Sequence, residues 1–447
     1  PLKRGATEDY SIDYNAGEIL FNATYPITSE MRITVDYQYS ERNYSRFIGY
    51  AGSHYKNSKW TLDISVYNEN DLKNQPLQQA LNSDQVSILS NAGDEQSLMI
   101  APSAALEPFN ENRILYKKTT DNGVEVFEFS TNSEDELYRV NFIAVGTQQG
   151  NYIIKSSNAI SNIYEYVAPI AGVKQGEYEP IIQLVAPVKL QLAVAKGAFR
   201  PDDKTAIDFE FAASKNDLNL YSPLDDDNNT GLAGQLSVAH QLHKSSGNWV
   251  LNVTSDNDYI QSNFRTIERL YRPEFNRDWN IETLTSSQRL SDLGDQLFIR
   301  MGTQLTHTEK GELKYQFQHL NFGDNYEGNR HLFFTKLNFD RLQLYSNSSL
   351  LQTAALFTNS MFYRSDNRLK YSYNKGWSGV NFSTEHNEKK QVELDEFDPI
   401  SQKFQTYEVF TGLGDSTKVF VKLGYIHRVN DSIQNNRLTK VNTSNTY

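Results

Sequence analysis

Leu236-Ser-Val-Ala-His-Gln-Leu-His-Lys-Ser-Ser-Gly-Asn-Trp-Val-Leu-Asn-Val-Thr254 is a stretch in which two alternating segments flank a polar turn. Leu236 and Val238 share one side of the first segment, and Leu251 and Val253 share one side of the second. A period of two places successive side chains on opposite faces of a β-sheet. The stretch therefore predicts a β-hairpin that has one apolar and one polar face.

The same pattern recurs along most of the chain, in an early hairpin that joins 46–55 to 60–68 and in later segments at 296–321, 331–349, 369–388 and 405–429. Strands of about 9–11 residues with one apolar and one polar face are typical of membrane-spanning β-barrels. We therefore predict an all-β fold, an antiparallel transmembrane β-barrel of about fourteen or more strands.

The lengths of the predicted connections support this interpretation, because short and long connections alternate strictly. The short turns are 197–204, 243–248, 306–311, 340–341, 375–378 and 415–418, and the long connections are 214–233, 258–295, 322–330, 350–360 and 389–404. Outer-membrane barrels have short periplasmic turns and longer external loops. The pattern thus predicts that the long connections lie outside the cell.

Ionisable residues fall on the less apolar face of each predicted strand. They are mixed in sign: Asp63, Asp208, Glu210 and Glu385 against Arg300, Lys314, Lys370 and Lys422. A charge on the lipid face of a barrel costs roughly 2–4 kcal/mol at the bilayer midplane. The pattern predicts that these residues line a lumen, where mixed charges suit internal ion pairs or a plugged interior. A soluble sandwich with its polar face in water has the same alternation and stays open as an alternative.

Composition excludes several classes of protein. The chain has 447 residues, 38% of them hydrophobic, and no apolar run of the 18 or more residues that a membrane helix needs. It has no cysteine, which excludes disulfides and thiolate metal sites. Its net charge of -12 argues against nucleic acid as a partner.

Four regions are predicted along the chain: a small β module at 1–45, a first barrel hairpin at 46–69, an inserted extracellular β-rich domain at 70–187, and barrel hairpins at 188–447. Within the module, 9–14 and 19–21 are predicted as strands joined by a turn at 15–17, and 31–39 as a further strand. Within the insertion, 76–81 and 83–93 are predicted as short helices, the second with Ser83 as N-cap and Gly93 as C-cap, and 137–146 is predicted as a strand. Leu438–Tyr447 does not have the pattern of a strand, and no apolar leader follows Pro1. We therefore expect a piece of a longer chain.

One loop has the composition of a metal site, Asp225-Asp-Asp-Asn-Asn-Thr-Gly231. Asp225, Asp227 and Asn229 supply the oxygen ligands that Ca²⁺ prefers on a flexible loop. The spacing departs from an EF-hand, since Gly231 falls one place late and no Glu follows at position 12. Calcium is thus a candidate cofactor, and a solvated loop of turn-forming residues is the alternative. No other cofactor is predicted.

A second loop, Tyr271-Arg-Pro-Glu-Phe-Asn-Arg-Asp-Trp279, is dense in charged and aromatic residues. Its candidate partner-binding residues are Tyr271, Arg272, Glu274, Phe275, Arg277 and Trp279. A loop whose charges and rings pair among themselves would have the same composition, so both interpretations stay open. The chain contains no G-x-S-x-G, P-loop or H-E-x-x-H motif, and the sequence predicts that it is not an enzyme.

Three segments carry a resemblance to a known group of proteins: 9–21 (Asp-Tyr-Ser-Ile-Asp-Tyr-Asn-Ala-Gly-Glu-Ile-Leu-Phe), 90–94 and 272–279. They resemble parts of large outer-membrane β-barrel proteins of Bacteroidota, and the first is similar to β modules of the gliding-motility and type 9 secretion translocon. The resemblance implies a bacterial outer-membrane barrel associated with protein export or membrane-protein assembly, with other outer-membrane or periplasmic proteins as partners.

The sequence leads to a non-enzymatic outer-membrane barrel, in contact with the lipid bilayer and lipopolysaccharide, that serves in an export or assembly complex. The alternative is a cell-surface β-sandwich that binds a glycan or a host ligand. An enzyme such as a glycoside hydrolase has only composition in its favour, since two inward carboxylates facing one cleft would be required.

Overall fold

The structure is a computed structural model, and it describes residues 2–5, 7–13, 18–22, 33, 35, 43–77, 80–157, 162–244, 248–272, 274–281, 290–414 and 419–446. The chain separates into two compact units. The first comprises Pro1–Ser40 with Arg269–Glu282, and the second comprises Glu41–Glu268 with Thr283–Tyr447. The sequence did not predict that the loop around 271–279 would group with the N-terminal module.

The first unit contains an antiparallel hairpin of β1 (Tyr10–Asp13) and β2 (Glu18–Phe21), in which Tyr10 pairs with Phe21. This confirms the predicted pair of strands in the N-terminal module. The predicted turn at 15–17 and nearly all of the predicted strand at 31–39 lie outside the described residues.

The second unit begins with the hairpin of β3 (Tyr44–Lys56) and β4 (Trp60–Pro76). Asn57 forms the turn, because its side-chain oxygen accepts from the backbone N–H groups of Lys59 and Trp60. Both strands are longer than predicted, so the insertion begins after Pro76 rather than at residue 70. The extra length is paired: Arg46 of β3 donates to Asp71 of β4 at 2.6 Å.

The described residues of the insertion form one α-helix and ten short strands. They are α1 (Ser83–Asn91), β5 (Ile100–Pro102), β6 (Ala105–Leu106), β7 (Tyr116–Asp121), β8 (Val124–Phe129), β9 (Leu137–Arg139), β10 (Ile143–Ala144), β11 (Tyr152–Ser157), β12 (Asn162–Tyr166), β13 (Tyr178–Glu179) and β14 (Ile181–Gln183). Two four-stranded sheets result, in the orders β6-β9-β7-β8 and β10-β13-β11-β12, and β5 pairs with β14. A short 3-10 helix spans Gln96–Leu98.

The helix predicted at 83–93 is confirmed, with shifted caps. Asn82 is the N-cap in place of Ser83, and it forms a capping box with Gln85. Gly93 follows the C-cap with a φ of +58°, a left-handed conformation that favours glycine. The helix predicted at 76–81 is wrong in its described part, because Pro76 ends β4. The single strand predicted at 137–146 is divided into β9 and β10.

The rest of the second unit is a run of long strands. They are β15 (Lys189–Phe199), β16 (Thr205–Asp217), β17 (Thr230–Lys244), β18 (Trp249–Ile260), β19 (Gln296–His307), β20 (Gly311–Phe322), β21 (Tyr326–Phe339), β22 (Leu342–Ala355), β23 (Thr358–Tyr373), β24 (Gly376–Gln391), β25 (Gln402–Gly414), β26 (Phe420–Gln434) and β27 (Arg437–Thr446). Short helical turns span Asp226–Asn228, Phe275–Asp278 (α2, in the first unit) and Leu290–Leu293.

These strands form one antiparallel sheet of fifteen strands together with β3 and β4. Neighbours in the sheet are consecutive in the chain, except that β4 pairs with β15 across the insertion. The all-β antiparallel fold is thus confirmed, and β3 and β27 are the outer strands of the sheet.

Because consecutive strands are antiparallel, their connections lie at two ends of the sheet. At the turn end the connections are all short: 57–59, 200–204, 245–248, 308–310, 340–341, 374–375 and 415–419. At the loop end they are 77–188, 218–229, 261–295, 323–325, 356–357, 392–401 and 435–436. The predicted long connections at 322–330 and 350–360 are wrong, since the strands continue into them and leave tight turns.

The expectation that the chain lacks a strand at Leu438–Tyr447 is also wrong. β27 pairs with β26 through Ile433 with Leu438 and, beyond a register shift, Asn430 with Asn442. Polar Thr, Asn and Ser residues dominate this strand, so its sequence shows no clear alternation of apolar and polar residues. Its backbone hydrogen bonds to β26 define it instead.

Candidate functional site

The polar face of the large sheet brings the predicted lumen residues together. Side chains that are paired across strands share a face, so the register assigns every strand position to one side. All eight ionisable residues that the sequence placed on one face do share it: Asp63, Asp208, Glu210, Glu385, Arg300, Lys314, Lys370 and Lys422. We name this side the polar face and the opposite side the apolar face.

Ion pairs join several charges on the polar face. Arg300 of β19 donates to Asp258 of β18 at 2.8 Å, and both side chains are largely buried. Lys422 donates to Glu408 at 2.7 Å across β25 and β26. These ion pairs connect side chains of neighbouring strands on the polar face. A buried pair such as Arg300 with Asp258 compensates for the desolvation of its charges only when its geometry is good.

Aromatic rings lie beneath many of these cations. The guanidinium of Arg300 is 4.6 Å from the ring centre of Phe298, and that of Arg364 is 4.6 Å from Phe362. Both rings are almost fully buried. Further pairs of the same kind are Lys422 with Phe410, Lys370 with Trp377, Lys314 with Phe334 and Arg428 with Phe404. Cations over ring faces gain about 0.5–2 kcal/mol each.

The polar face is covered near the loop end. Ser214 of β16 accepts a hydrogen bond from the backbone N–H of Arg265 at 2.9 Å. A Cβ atom on Gly231, the cross-strand partner of Ser214, would lie only 2.2 Å from the backbone nitrogen of Phe264. Residues 263–265 therefore lie against the polar face. At the turn end, side chains such as Lys336 and Arg368 are exposed.

The apolar face is largely exposed. Large hydrophobic side chains along it remain accessible, among them Ile64 at 49%, Phe211 at 60%, Met301 at 52% and Leu423 at 69%. Aromatic residues lie near the turn end of the same face: Tyr55, Trp60, Phe199, Trp249, Phe339, Tyr371 and Tyr373. Large hydrophobic side chains exposed side by side mark interfaces with membranes, proteins or ligands, so this face is a candidate interface.

The insertion is anchored to the sheet at the loop end. Asn219, which is completely buried, donates to the carbonyl oxygens of Leu89 and Gly93 at 2.7 and 2.6 Å. Leu89 belongs to the last turn of α1, where its carbonyl oxygen also accepts from the backbone N–H of Ala92, and Gly93 directly follows the C-cap of the helix. Ser222 donates to Ser90 O at 2.9 Å. A buried cluster surrounds this contact: Leu89, Ala92, Met99, Ala101, Leu184 and Ala186.

Two tyrosine hydroxyls connect the two four-stranded sheets of the insertion. Tyr152 accepts from the backbone N–H of Phe127 at 2.8 Å, and Tyr116 accepts from that of Tyr164 at 3.0 Å. Burial raises the pKa of Tyr152 to about 12 and also raises the pKa of Tyr116. These tyrosines therefore stay neutral at physiological pH, and each hydroxyl oxygen accepts a hydrogen bond from a backbone N–H group of the other sheet.

The residues of the calcium candidate are only partly brought together. Asp225 adopts a φ of +65° ahead of the 3-10 turn, Asp227 is exposed, and Asn229 is buried with its amide donating to Asp226 at 2.8 Å. Over the part of the chain that the structure describes, no three His, Asp or Glu side chains are grouped so as to hold a metal ion. Calcium binding through Asp225, Asp227 and Asn229 stays a prediction.

A carboxylate from the insertion joins this loop. Burial, together with the nearby carboxylates of Asp217, Asp225 and Asp226, raises the pKa of Asp94 to about 6. Asp225 also lies against Gly93, where a Cβ atom would come within 2.3 Å of its Oδ2. Negative charge is thus concentrated where the insertion meets loop 218–229.

In the first unit, residues 271–279 pack on themselves. Tyr271 and Phe275 stack with ring centres 3.9 Å apart, and Arg277 is 3.3 Å from Glu274. Trp279 is 2% exposed, whereas Arg272 is exposed. This geometry corresponds to the self-packed interpretation of the loop. Partner binding by Tyr271, Arg272, Glu274, Phe275, Arg277 and Trp279 stays a prediction.

Sequence reasoning did not identify Asn219 or the rings beneath the cations. Asn219 stands in a polar loop where asparagine is common, so no local signal separates it from its neighbours. The stacked pairs did have a signal, because Phe298 and Arg300, like Phe362 and Arg364, are two positions apart on one strand face. That spacing places a ring beside a cation.

The comparisons with known proteins cover only the start of the chain. Residues 1–41 are similar to DUF8818, a domain of unknown function. No curated protein matches the chain. Among the helices that the structure describes, none combines the length and apolarity needed to cross a membrane.

Proposed function

We propose that the large sheet closes into a membrane-spanning β-barrel in the bacterial outer membrane, as a non-enzymatic component of a protein export or outer-membrane assembly complex. The observation that carries the membrane part is the course of the apolar band, the exposed large hydrophobic side chains of the apolar face. This band crosses the sheet diagonally.

Two cross-strand rows demonstrate the diagonal. The row that contains Ile64 is apolar in its first half and polar in its second: Ala195, Phe211, Gly234, Tyr259, Leu297, then Asn321, Glu327, Ala354, Asn359 and Lys390. The row that contains Leu423 passes through Thr411, Ser378, Tyr371, Leu342 and Phe339. In β22 the two rows are at Ala354 and Leu342, twelve positions apart (354 − 342 = 12).

The band therefore shifts by twelve positions between β4 and β26, which are twelve strand-to-strand steps apart in the sheet. The band thus shifts by one residue, about 3.3 Å along the strand, for each step of about 4.8 Å to the next strand. This slope corresponds to strands tilted by about 35° relative to the normal of the band. Strands of membrane barrels are tilted by about 35–45° to the barrel axis. When strands are tilted in a bilayer, an apolar band parallel to the membrane plane meets each successive strand at a shifted position, as observed here.

Charges on the apolar face support the same orientation. Glu327, Glu388 and Lys390 are on this face, and each lies on the loop-end side of the band. The turn end carries the aromatic residues listed above, and Tyr and Trp favour membrane–water interfaces. These features favour a bilayer as the environment of the apolar face. In the alternative fold, the sandwich of a surface-binding protein, a second sheet would cover this face instead.

Closure of the barrel has a specific geometric requirement. Fifteen is an odd number, so the outer strands β3 and β27 run in the same direction. Closure joins them in parallel or through one further strand between them. The largest connections, including the insertion, share the loop end, and we propose that they contact other outer-membrane proteins at the cell surface.

The test is fractionation of expressing bacteria, followed by solubility with and without detergent and by electrophoresis of heated and unheated samples. The proposal predicts recovery with the outer membrane, a requirement for detergent, and faster migration before heating. Full solubility without detergent would contradict the membrane part. Co-purification with export or assembly proteins from mildly solubilised membranes tests the role in a complex.

A further inference from the structure

Charges on the polar face are segregated by sign along the sheet. Among the described side chains at paired positions, β4–β18 carry seven carboxylates and one lysine: Asp63, Glu69, Asp71, Asp208, Glu210, Asp256 and Asp258, with Lys196. β19–β26 carry ten cations, Arg300, Lys314, Arg330, Lys336, Arg364, Arg368, Lys370, Lys389, Lys422 and Arg428, and four carboxylates, Glu312, Asp366, Glu385 and Glu408. The two parts thus have opposite net charge.

One cross-strand row contains the change of sign. From β16 to β21 it reads Asp208, Ser237, Asp256, Arg300, Gln318 and Arg330. Ser237 is flanked by two carboxylates, and Gln318, three strands away, is flanked by two guanidinium groups. Both side chains are half-buried on the same face.

Local ion pairs reduce this polarity without removing it. On the acidic part Arg46 of β3 pairs with Glu69 and Asp71, and Arg200 donates to Asp208 at 2.8 Å while half exposed. Arg300 bonds Asp258 at the boundary, and on the basic part Lys314 pairs with Glu312 and Lys422 with Glu408. Even when Arg46, Lys56 and Arg200 are counted, carboxylates outnumber lysine and arginine seven to four on the acidic part. On the basic part, lysine and arginine outnumber carboxylates ten to four. Strands three steps apart are about 14 Å apart, beyond the screening length of about 8 Å at physiological ionic strength. Each part therefore keeps its own potential.

We propose that the polar face is electrically two-sided, so that it attracts small anions over β19–β21 and small cations over β16–β18. Neighbouring like charges two strands apart reinforce each other, and a partly enclosed protein surface focuses such potentials to several times thermal energy. The rings under Arg300 and Arg364 hold the guanidinium groups in place on the basic part. This inference holds for the sheet whether or not it spans a membrane.

The absence of cysteine from the chain provides a direct test. Ser237→Cys and Gln318→Cys are made singly in the full chain, and each thiol is reacted with a cationic and an anionic methanethiosulfonate reagent of similar size. The measured quantity is the cationic-to-anionic rate ratio, divided by the ratio for a free thiol. The proposal predicts a ratio above one at residue 237, below one at residue 318, and at least about tenfold between them.

Two double substitutions, each combined with the single cysteines, test which charges set the rate ratios. Asp208→Asn with Asp256→Asn is expected to return the ratio at residue 237 toward that of a free thiol and to leave residue 318 unchanged. Arg300→Gln with Arg330→Gln is expected to do the reverse. Equal ratios at the two positions, or ratios that the neutralised variants do not move, would overturn the proposal. A soluble protein that still gives opposite ratios would overturn only the membrane proposal.

Discussion

The side-chain amide of Asn219 lies 2.7 Å from the carbonyl oxygen of Leu89, so that a loop of the large sheet caps the helix of the insertion. The contact joins segments far apart in the chain, and the same amide also donates to Gly93 O. It explains how a domain inserted between β4 and β15 is held to the sheet beyond its two chain connections.

Replacing Asn219 with Ala is expected to loosen this junction. The change removes the Asn219 donor from the carbonyl oxygen of Gly93 and leaves that of Leu89 with the backbone N–H of Ala92. A buried carbonyl oxygen that loses its donor costs about 1–3 kcal/mol. Hydrogen exchange of the α1 amides, compared between the two proteins, measures the loss as faster exchange. Asn228→Ala, an exposed position in the same loop, is the matched control. Equal exchange rates in the two variants would show that Asn219 does not anchor the insertion.

The junction is also expected to respond to pH through Asp94. Its pKa of about 6 in the folded protein is above the ordinary value near 3.8, so the folded state binds the proton more tightly. The stabilisation by this proton is fully present below about pH 4 and is lost as pH rises through 6. Hydrogen exchange of α1 should therefore be slower at pH 5 than at pH 7.5, after correction for intrinsic rates.

Asp94→Asn removes the titrating group and should flatten this pH dependence between pH 5 and 7.5. Asp227→Asn, at an exposed position of the adjoining loop, should leave it intact. An unchanged profile in Asp94→Asn would assign the pH response to another group.

Tyr152→Phe is expected to weaken the contact between the two sheets of the insertion. The backbone N–H of Phe127 loses its acceptor in the interior, at a cost of about 1–3 kcal/mol. Urea denaturation followed by tyrosine fluorescence measures the change. Tyr166→Phe is the control, because its ring packs on Tyr152 at 5.7 Å and no bond of its hydroxyl is described. Similar destabilisation by both variants would assign the effect to ring packing.

Neighbouring substitutions on β17 separate the two faces of the large sheet. Leu236→Arg places a charge in the apolar band, where a bilayer makes it cost about 2–4 kcal/mol at the midplane. Ser237→Arg places the same charge between Asp208 and Asp256. The yield of heat-modifiable protein in the membrane fraction should fall for Leu236→Arg and persist for Ser237→Arg. The opposite order would reverse the assignment of the faces.

Period-two alternation predicted the main feature of the fold, because the face of a strand residue is set by sequence parity alone. Asp208 and Lys422 are far apart in sequence, yet the alternation placed them on one face, and the register confirms it. Strand ends were less predictable. Polar residues at the loop end, such as Asn321 and Glu327, extend the strands and resemble loop sequence, so that tight turns were mistaken for long connections.

The separation of acidic from basic residues on the polar face could not be predicted from the sequence, for a different reason. Alternation assigns a face but no register, and the row from Asp208 to Arg330 depends on which positions are paired across six strands. The sequence predicted a mixture of charges on this face. Their separation into an acidic and a basic part required the register, and the contact of Asn219 with α1 required the tertiary structure.

The proposed membrane orientation requires the apolar band to lie level in a bilayer, although it crosses the tilted strands at successive positions. Single cysteines at Ile64, Leu423 and Ala354, carrying spin labels in lipid vesicles, report depth through their relative accessibility to oxygen and to a water-soluble nickel complex. We predict equal depth for Ile64 and Leu423, although their rows are twelve positions apart, and a much shallower position for Ala354. Equal depth for Ile64 and Ala354, which share a row, or free access of the nickel complex to all three, would contradict the account.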